Sequence, residues 1–231
     1  MRHFEQELEK LKARLLEMGA LVESAVYRSV QGVVEKDENL AQQVLRNEAR
    51  INDLEIEIDD LAIGLLVLQQ PVAADLRLIT VAIKINNDLE RMGDLAVNIA
   101  QRALDLLREA VIQPMVDIPH IAGLVQSMVR KSLDAFVNRD SELARSVLAG
   151  DDAVDNLRTA SYHELVSYME KDRGNIPQAL HLLSVIRNLE RIADHSTNIA
   201  EDVLFLVKGV DVRHRNEQRP GARNEPAMNQ R

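Results

Sequence analysis

The feature that most constrains this chain is an apolar seam that occurs twice. Leu78, Ala82, Ile85, Leu89, Met92, Ala96, Ile99, Ala103 and Leu106 step by four and three in alternation. Leu182, Val185, Leu189, Ile192, Ser196, Ile199, Val203 and Leu206 continue the same register 100 residues later, with Ser196 the one polar member. Such spacing averages about 3.5 residues, so each set lies along one side of an α-helix and requires a helical neighbour to cover it. A second pairing runs at an offset of 103, in which Leu40, Val44, Asn47, Ile51, Leu54 and Ile58 correspond to Leu143, Val147, Gly150, Val154, Leu157 and Ser161. An offset that is constant within a helix but changes between helices is the mark of one helical unit copied once, with a short loop deletion.

Breaks in the pattern are few. Proline or glycine falls at Pro71, between Pro114 and Pro119, and between Gly174 and Pro177. Asp37 and Asp140 each precede an apolar run, where a carboxylate can accept from the free N–H groups of a helix start. These boundaries predict six helices and an all-α fold of two tandem homologous three-helix bundles with antiparallel, up-and-down packing. The first bundle is expected over residues 1–112 and the second over 113–210. Beyond Gly209 the chain becomes rich in Arg, Asn, Gln and Pro without an apolar face, so 211–231 is expected to be a disordered tail.

Composition agrees with helix-on-helix packing. Hydrophobic residues make up 46% of 231, enough for a sizeable core, while aromatics are only 3% and Trp is absent. With no Cys, thiolate chemistry, disulfides and Cys-held metals are excluded, which agrees with a reducing compartment. Met1 to Gly19 mixes Arg, Glu and Lys with its leucines, and no apolar run reaches the roughly 20 residues of a membrane span, so a cytoplasmic protein is expected. The net charge of -9 argues against nucleic acid as a partner and against direct binding of anionic lipid.

The candidate chemistry lies on the third helix of each copy. Glu90, Asp94 and Asn98, then Glu190, Asp194 and Asn198, are spaced by four and so share a stripe that should point away from the seam. The second helix carries Glu48, Asn52, Glu55 and Asp59 in the first copy, and Asp151 with Asp155 in the second. Neighbouring carboxylates at this spacing repel by roughly 0.2 to 0.5 kcal/mol per pair, a penalty that Arg91, Arg191 or a bound cation would reverse. An all-oxygen ligand set selects hard cations such as Mg, Mn, Ca or ferric iron. His195, next to Asp194, could approach such a site, although a His beside a core seam is more commonly a hydrogen-bonded structural residue. The bland alternative is an ordinary solvated helix face with local ion pairs; recurrence in both copies is what favours a function.

Other classes fare worse. A ferritin-like di-metal oxidoreductase needs Glu and His three apart on core-facing positions, and no Glu-x-x-His occurs. No Gly-x-x-x-x-Gly-Lys phosphate loop is present, so no ATPase activity is expected of this chain. A purely structural helical adaptor is compatible with the periodicity alone.

The strings NNDLERMGDLAVNIA from Asn86, RNLERIADHSTNIAEDV from Arg187 and QQPVAADLR from Gln69 resemble the duplicated signature of the PhoU family, over Leu8 to Lys208. The resemblance implies a non-enzymatic negative regulator of phosphate uptake and of the phosphate-starvation (Pho) regulon, frequently a homodimer. Its implied partners are the ATPase subunit of the phosphate ABC transporter and the phosphate-sensing histidine kinase, so that it meets the membrane only through them. It further implies iron or other metal on Glu/Asp-x-x-x-Asp pairs, which here match Glu90, Asp94, Glu190, Asp194, Asp151 and Asp155. Asn52 stands where the first copy would pair Glu48 with an acid, which weakens a cluster there. Arg91, Asn98, Arg191 and Asn198 are the expected partner-facing residues.

Overall fold

The structure, a computed structural model, describes residues 2–69, 71–108 and 116–209. The described residues form six long helices: α1 (Arg2–Val34), α2 (Glu38–Gln69), α3 (Ala73–Leu106), α4 (Ile118–Asn138), α5 (Ser141–Lys171) and α6 (Ile176–Lys208), with one 3-10 turn at Arg173–Asn175. The expected boundary at 112/113 and the expected tail at 211–231 lie outside the described residues.

The helix starts follow their caps. Asp37 Oδ1 accepts from the Asn39 and Leu40 N–H groups, and Asp140 Oδ1 accepts from those of Glu142 and Leu143. Each cap is preceded by a residue in the left-handed region, Lys36 at φ 54° and Arg139 at φ 50°. The two sites are again 103 apart, so one turn geometry serves both copies. Pro119 and Pro177 sit in the first turns of α4 and α6, where a missing N–H costs nothing.

Every member of both seams is buried. Ser196 fits because its hydroxyl donates back to the Ile192 carbonyl at 3.0 Å, so no hydrogen-bonding group is stranded. Helices α1, α2 and α3 pack as one bundle and α4, α5 and α6 as the other, joined along α3 with α6 and along α1 with α4. Pairings across the first joint connect Lys84 to Asp202 and Asp105 to His181, so α3 and α6 run antiparallel. On the second joint Gly19 admits Leu133, since a Cβ there would lie 2.5 Å from Leu133 Cδ1.

The copies have also traded volume. A Cβ on Gly93 would lie 3.3 Å from both Cδ1 and Cγ2 of Ile51. At the matching positions of the second copy stand Ala193 and Val154, both buried: one methyl more on α6 and one fewer on α5.

Candidate functional site: two acidic helix flanks and the seam between them

In the second half the structure brings the candidate acids together. Asp151 and Asp155 on α5 face Glu190 and Asp194 on α6, and Arg158 lies among them, its Nε 3.4 Å from Glu190 and 3.8 Å from Asp155. Burial of the Asp194 carboxyl, then the charges of Glu190, Asp151 and Asp155, push it from its ordinary 3.8 up to about 6, partly offset by His195. Arg158 is thus shared between Asp155 and Glu190, while Asp194 keeps three carboxylates as its charged neighbours beside His195.

The first half is built differently. Arg91 pairs with its own helix neighbours, Glu90 at 3.4 Å and Asp94 at 3.6 Å. Partial burial, and then Asp94, raise the Glu90 carboxyl above the usual range, with Glu55 adding to the effect and Arg91 opposing it. Asn86 ties the two helices by donating to the Glu55 carbonyl at 2.9 Å and to Asp59 Oδ1 at 3.0 Å. Glu48 makes no hydrogen bond or ion pair among the described residues, and Asn52 is exposed. The first copy therefore brings together Glu55, Glu90 and Asp94.

The stripes are expected to point away from the core; Asn98, Asp194 and Asn198 do, but the expectation needs correction for Glu90 and Glu190. The Glu90 and Glu190 side chains retain only 17% and 25% of their exposure. The cause is the width of the buried arc: α3 also buries Asn86, Gly93 and Val97 beside its seam, so the edge of α2 reaches the stripe. Glu90 and Glu190 line interhelical grooves, Asp94 is half-buried and Asp194 is exposed. Asn98 and Asn198 remain exposed, as do Arg91 and Arg191.

Sequence reasoning missed the polar chemistry on the α3–α6 seam. Lys84 Nζ lies 2.9 Å from Asp202, whose side chain is buried. His195 Nδ1 lies 2.8 Å from Asp88 Oδ1, which also accepts from Asn198 at 3.4 Å. Arg77 and Lys84 each sit 5.7 Å from the Phe205 ring centre, within cation–π range. His195 thus turns to Asp88 as a structural partner. A signal existed: Lys84 and Asp88 lie one turn apart on one helix, and Asn198 and Asp202 do so on the other. Nothing local, however, reveals a pairing across more than a hundred residues.

As they stand, no three His, Asp or Glu side chains among the described residues are arranged to hold a metal ion. The donor set on the α5–α6 flank is nonetheless all carboxylate and under mutual repulsion, the condition that a hard cation relieves. A di-metal oxidoreductase would place such acids in the bundle interior. Here Asp202 is the single acidic residue among the buried ones described, and it is held by Lys84. Among the described residues no helix is long and apolar enough to cross a membrane.

Comparison with known proteins agrees with this duplicated architecture. A sequence profile described as PhoU domain matches residues 15–103 and again 118–203, one match per bundle. The chain is 43% identical over 212 residues to a phosphate-specific transport system accessory protein PhoU homolog from Pseudomonas putida, covering 91% of this chain and 83% of the relative. The crystal structure of PhoU from Pseudomonas aeruginosa superposes with a TM-score of 0.86 at 42% identity, over 90% of this chain and all of that one. The phosphate transport system regulatory protein PhoU from Streptococcus pneumoniae gives 0.83 at 29% identity, over 90% and 99% of the two chains. Both bundles and the joint between them are thus shared with solved relatives, and the chain belongs to the PhoU family.

Proposed function

We propose that this protein is a negative regulator of phosphate uptake and of the phosphate-starvation regulon, acting by contact and not by catalysis. The observation that carries the reading is the match, across 91% of the chain, to a relative named as an accessory protein of phosphate-specific transport. In this reading the protein works in the cytoplasm as a homodimer. It links the ATPase subunit of the phosphate ABC transporter to the phosphate-sensing histidine kinase. The structure suits such a role: two helical bundles present long grooved flanks, and exposed charged residues such as Arg91 and Arg191 lie on those flanks, where they are available to partners.

A hard cation belongs to the same proposal. Asp151, Asp155, Glu190 and Asp194 would hold it, with Arg158 giving up its hold on Asp155 and Glu190. Glu90 and Asp94 are the weaker counterpart, because Asn52 supplies no charge where the second copy has Asp155. Bound on the α5–α6 flank, the cation would relieve the mutual repulsion that raises the Asp194 carboxyl. Iron, Mn, Mg and Ca are the classes that such oxygen donors accept.

Purified full-length protein should bind both the purified ATPase subunit and the cytoplasmic portion of the kinase, each measured by calorimetry. Failure to bind either would remove the relay.

A further inference from the structure

The duplication should have made the α2–α3 and α5–α6 flanks alike, yet one region of them has opposite character. In the first half Asn86 bridges to Glu55 and Asp59, and Arg91 is engaged by Glu90 and Asp94. At the offsets of 100 and 103, Asn86, Glu55, Asp59 and Asn87 become Ile186, Arg158, Tyr162 and Arg187. The bridge is gone and two acids have been replaced by a cation and an aromatic. Arg158 Nε now stands 3.4 Å from Glu190, and Arg191, unlike Arg91, makes no ion pair with its helix neighbours among the described residues. Among the described residues neither Arg187 nor Arg191 has an ion-pair or hydrogen-bond partner.

These changes leave a half-open cleft of about 440 Å³ between α5 and α6, lined by Arg158, Tyr162, Leu183, Ile186, Arg187 and Arg191 together with Glu190. Its edge continues along α6 to Leu180, which shares a helical line with Arg187 and Arg191 and is 55% exposed. From Leu180 to Arg191 the strip runs about 16 Å, three turns of helix. The first-half counterparts of that strip, Thr80, Asn87 and Arg91, offer no apolar end and no free cation. The strip is therefore not a requirement of the fold, which is built without it one copy earlier.

Its chemistry selects the occupant. Small anions are held tightly where most of their surface is enclosed, whereas this cleft is open along its length and its two free guanidinium groups are exposed. Arginine and tyrosine over an apolar floor are instead the usual anchors of a protein interface. On a chain of net charge -9, the cleft lining sets three arginines against the one carboxylate of Glu190, which Arg158 faces, so Arg187 and Arg191, one turn apart, leave a local positive balance that steers a negative segment to this place. We infer that the α5–α6 cleft is the docking groove for an acidic amphipathic helix of a different protein. Two of its carboxylates, one turn apart, pair with Arg187 and Arg191, and an apolar side chain packs over Leu183 and Ile186 beside Tyr162. This deepens the regulatory reading and rests on it only for the identity of the partner.

Photo-crosslinking in living cells tests the inference. Benzoylphenylalanine in place of Leu180 in the full chain should give an adduct with another protein, and mass spectrometry should place it on a helical peptide with an excess of Asp and Glu. Combining Arg187→Glu with Arg191→Glu should lower adduct yield roughly tenfold or more, since like charges then meet. The melting temperature serves as the folding control, and Arg187→Gln with Arg191→Gln is the milder pair if charge reversal unfolds the chain. Absence of a protein adduct, an adduct with this chain's own peptides, a peptide without acidic excess, or a yield indifferent to charge reversal each overturns the groove. An acidic adduct from a protein other than the transporter ATPase or the kinase upholds the groove and contradicts the partner assignment made above.

Discussion

Asp194→Asn in chelator-treated protein should make the fold more stable at neutral pH, and by an amount that depends on pH. The wild-type carboxyl is pushed up to about 6 from an ordinary 3.8 by burial and by Glu190, Asp151 and Asp155. Between those values the folded state keeps a proton that the unfolded chain releases, so unfolding loses a proton and stability falls as pH rises through that interval. Above about 6 the full cost is present; below about 4 it vanishes. A shift of about 2 units corresponds to about 3 kcal/mol at roughly 1.4 kcal/mol per unit. Asp194 is an exposed residue, and solvent screening should leave about 1 kcal/mol of that. Asn keeps the shape and removes the charge. Urea unfolding of wild type and variant from pH 4 to 7.5 should show curves that coincide at the acid end and separate by about 1 kcal/mol at the neutral end. A difference that stays flat across the range, or a variant less stable at pH 7.5, would refute the reasoning and assign Asp194 a stabilising contact instead.

Further expectations follow from other parts of the molecule. Adding Mn²⁺ or ferric iron should stabilise wild type, by about 2.7 kcal/mol at a hundredfold excess over Kd. The Glu190→Gln, Asp194→Asn double variant should melt at the same temperature with and without the ion. Gly93→Ala sets an overpacking cost of about 1 to 3 kcal/mol against Ile51 in opposition to a helix-propensity gain of about 1 kcal/mol. Adding Ile51→Val, which recreates the Ala193 and Val154 pairing, should recover about 1 kcal/mol beyond additivity in a four-protein unfolding cycle. Lys84→Met removes the 2.9 Å ion pair to the buried Asp202 carboxylate and should destabilise the fold by about 1 to 3 kcal/mol by chemical denaturation, with Asp202→Asn in the same chain restoring part of the loss.

The fold was legible because its determinants are periodic and local. Alternating steps of four and three exposed both seams, from Leu78 and from Leu182, while Asp37 and Asp140 announced their own turns. The acids that gather on each flank were largely legible too, since Glu90 with Asp94 and Glu190 with Asp194 recur at a fixed offset. Their direction was not. A helical angle measured from one seam cannot show that α2 overlaps the flank of α3, which depends on Asn86, Gly93 and Val97 being buried as well. The ties from Lys84 to Asp202 and from Asp88 to His195 were hidden for another reason: they depend on how the two copies dock, and no spacing within either copy encodes that. The α5–α6 cleft lies where the two copies differ. Each departure from the duplicated pattern, such as Glu55 against Arg158, marks a place where packing alone does not dictate the residue.

The regulatory role is tested most directly by deleting the gene and reading a phosphate-responsive reporter in phosphate-rich medium. Reporter output should rise to the level of starved cells and return to the repressed level when the full chain is supplied from a plasmid. Output in the deletion strain that matches the parent in rich medium would contradict the assignment to phosphate signalling.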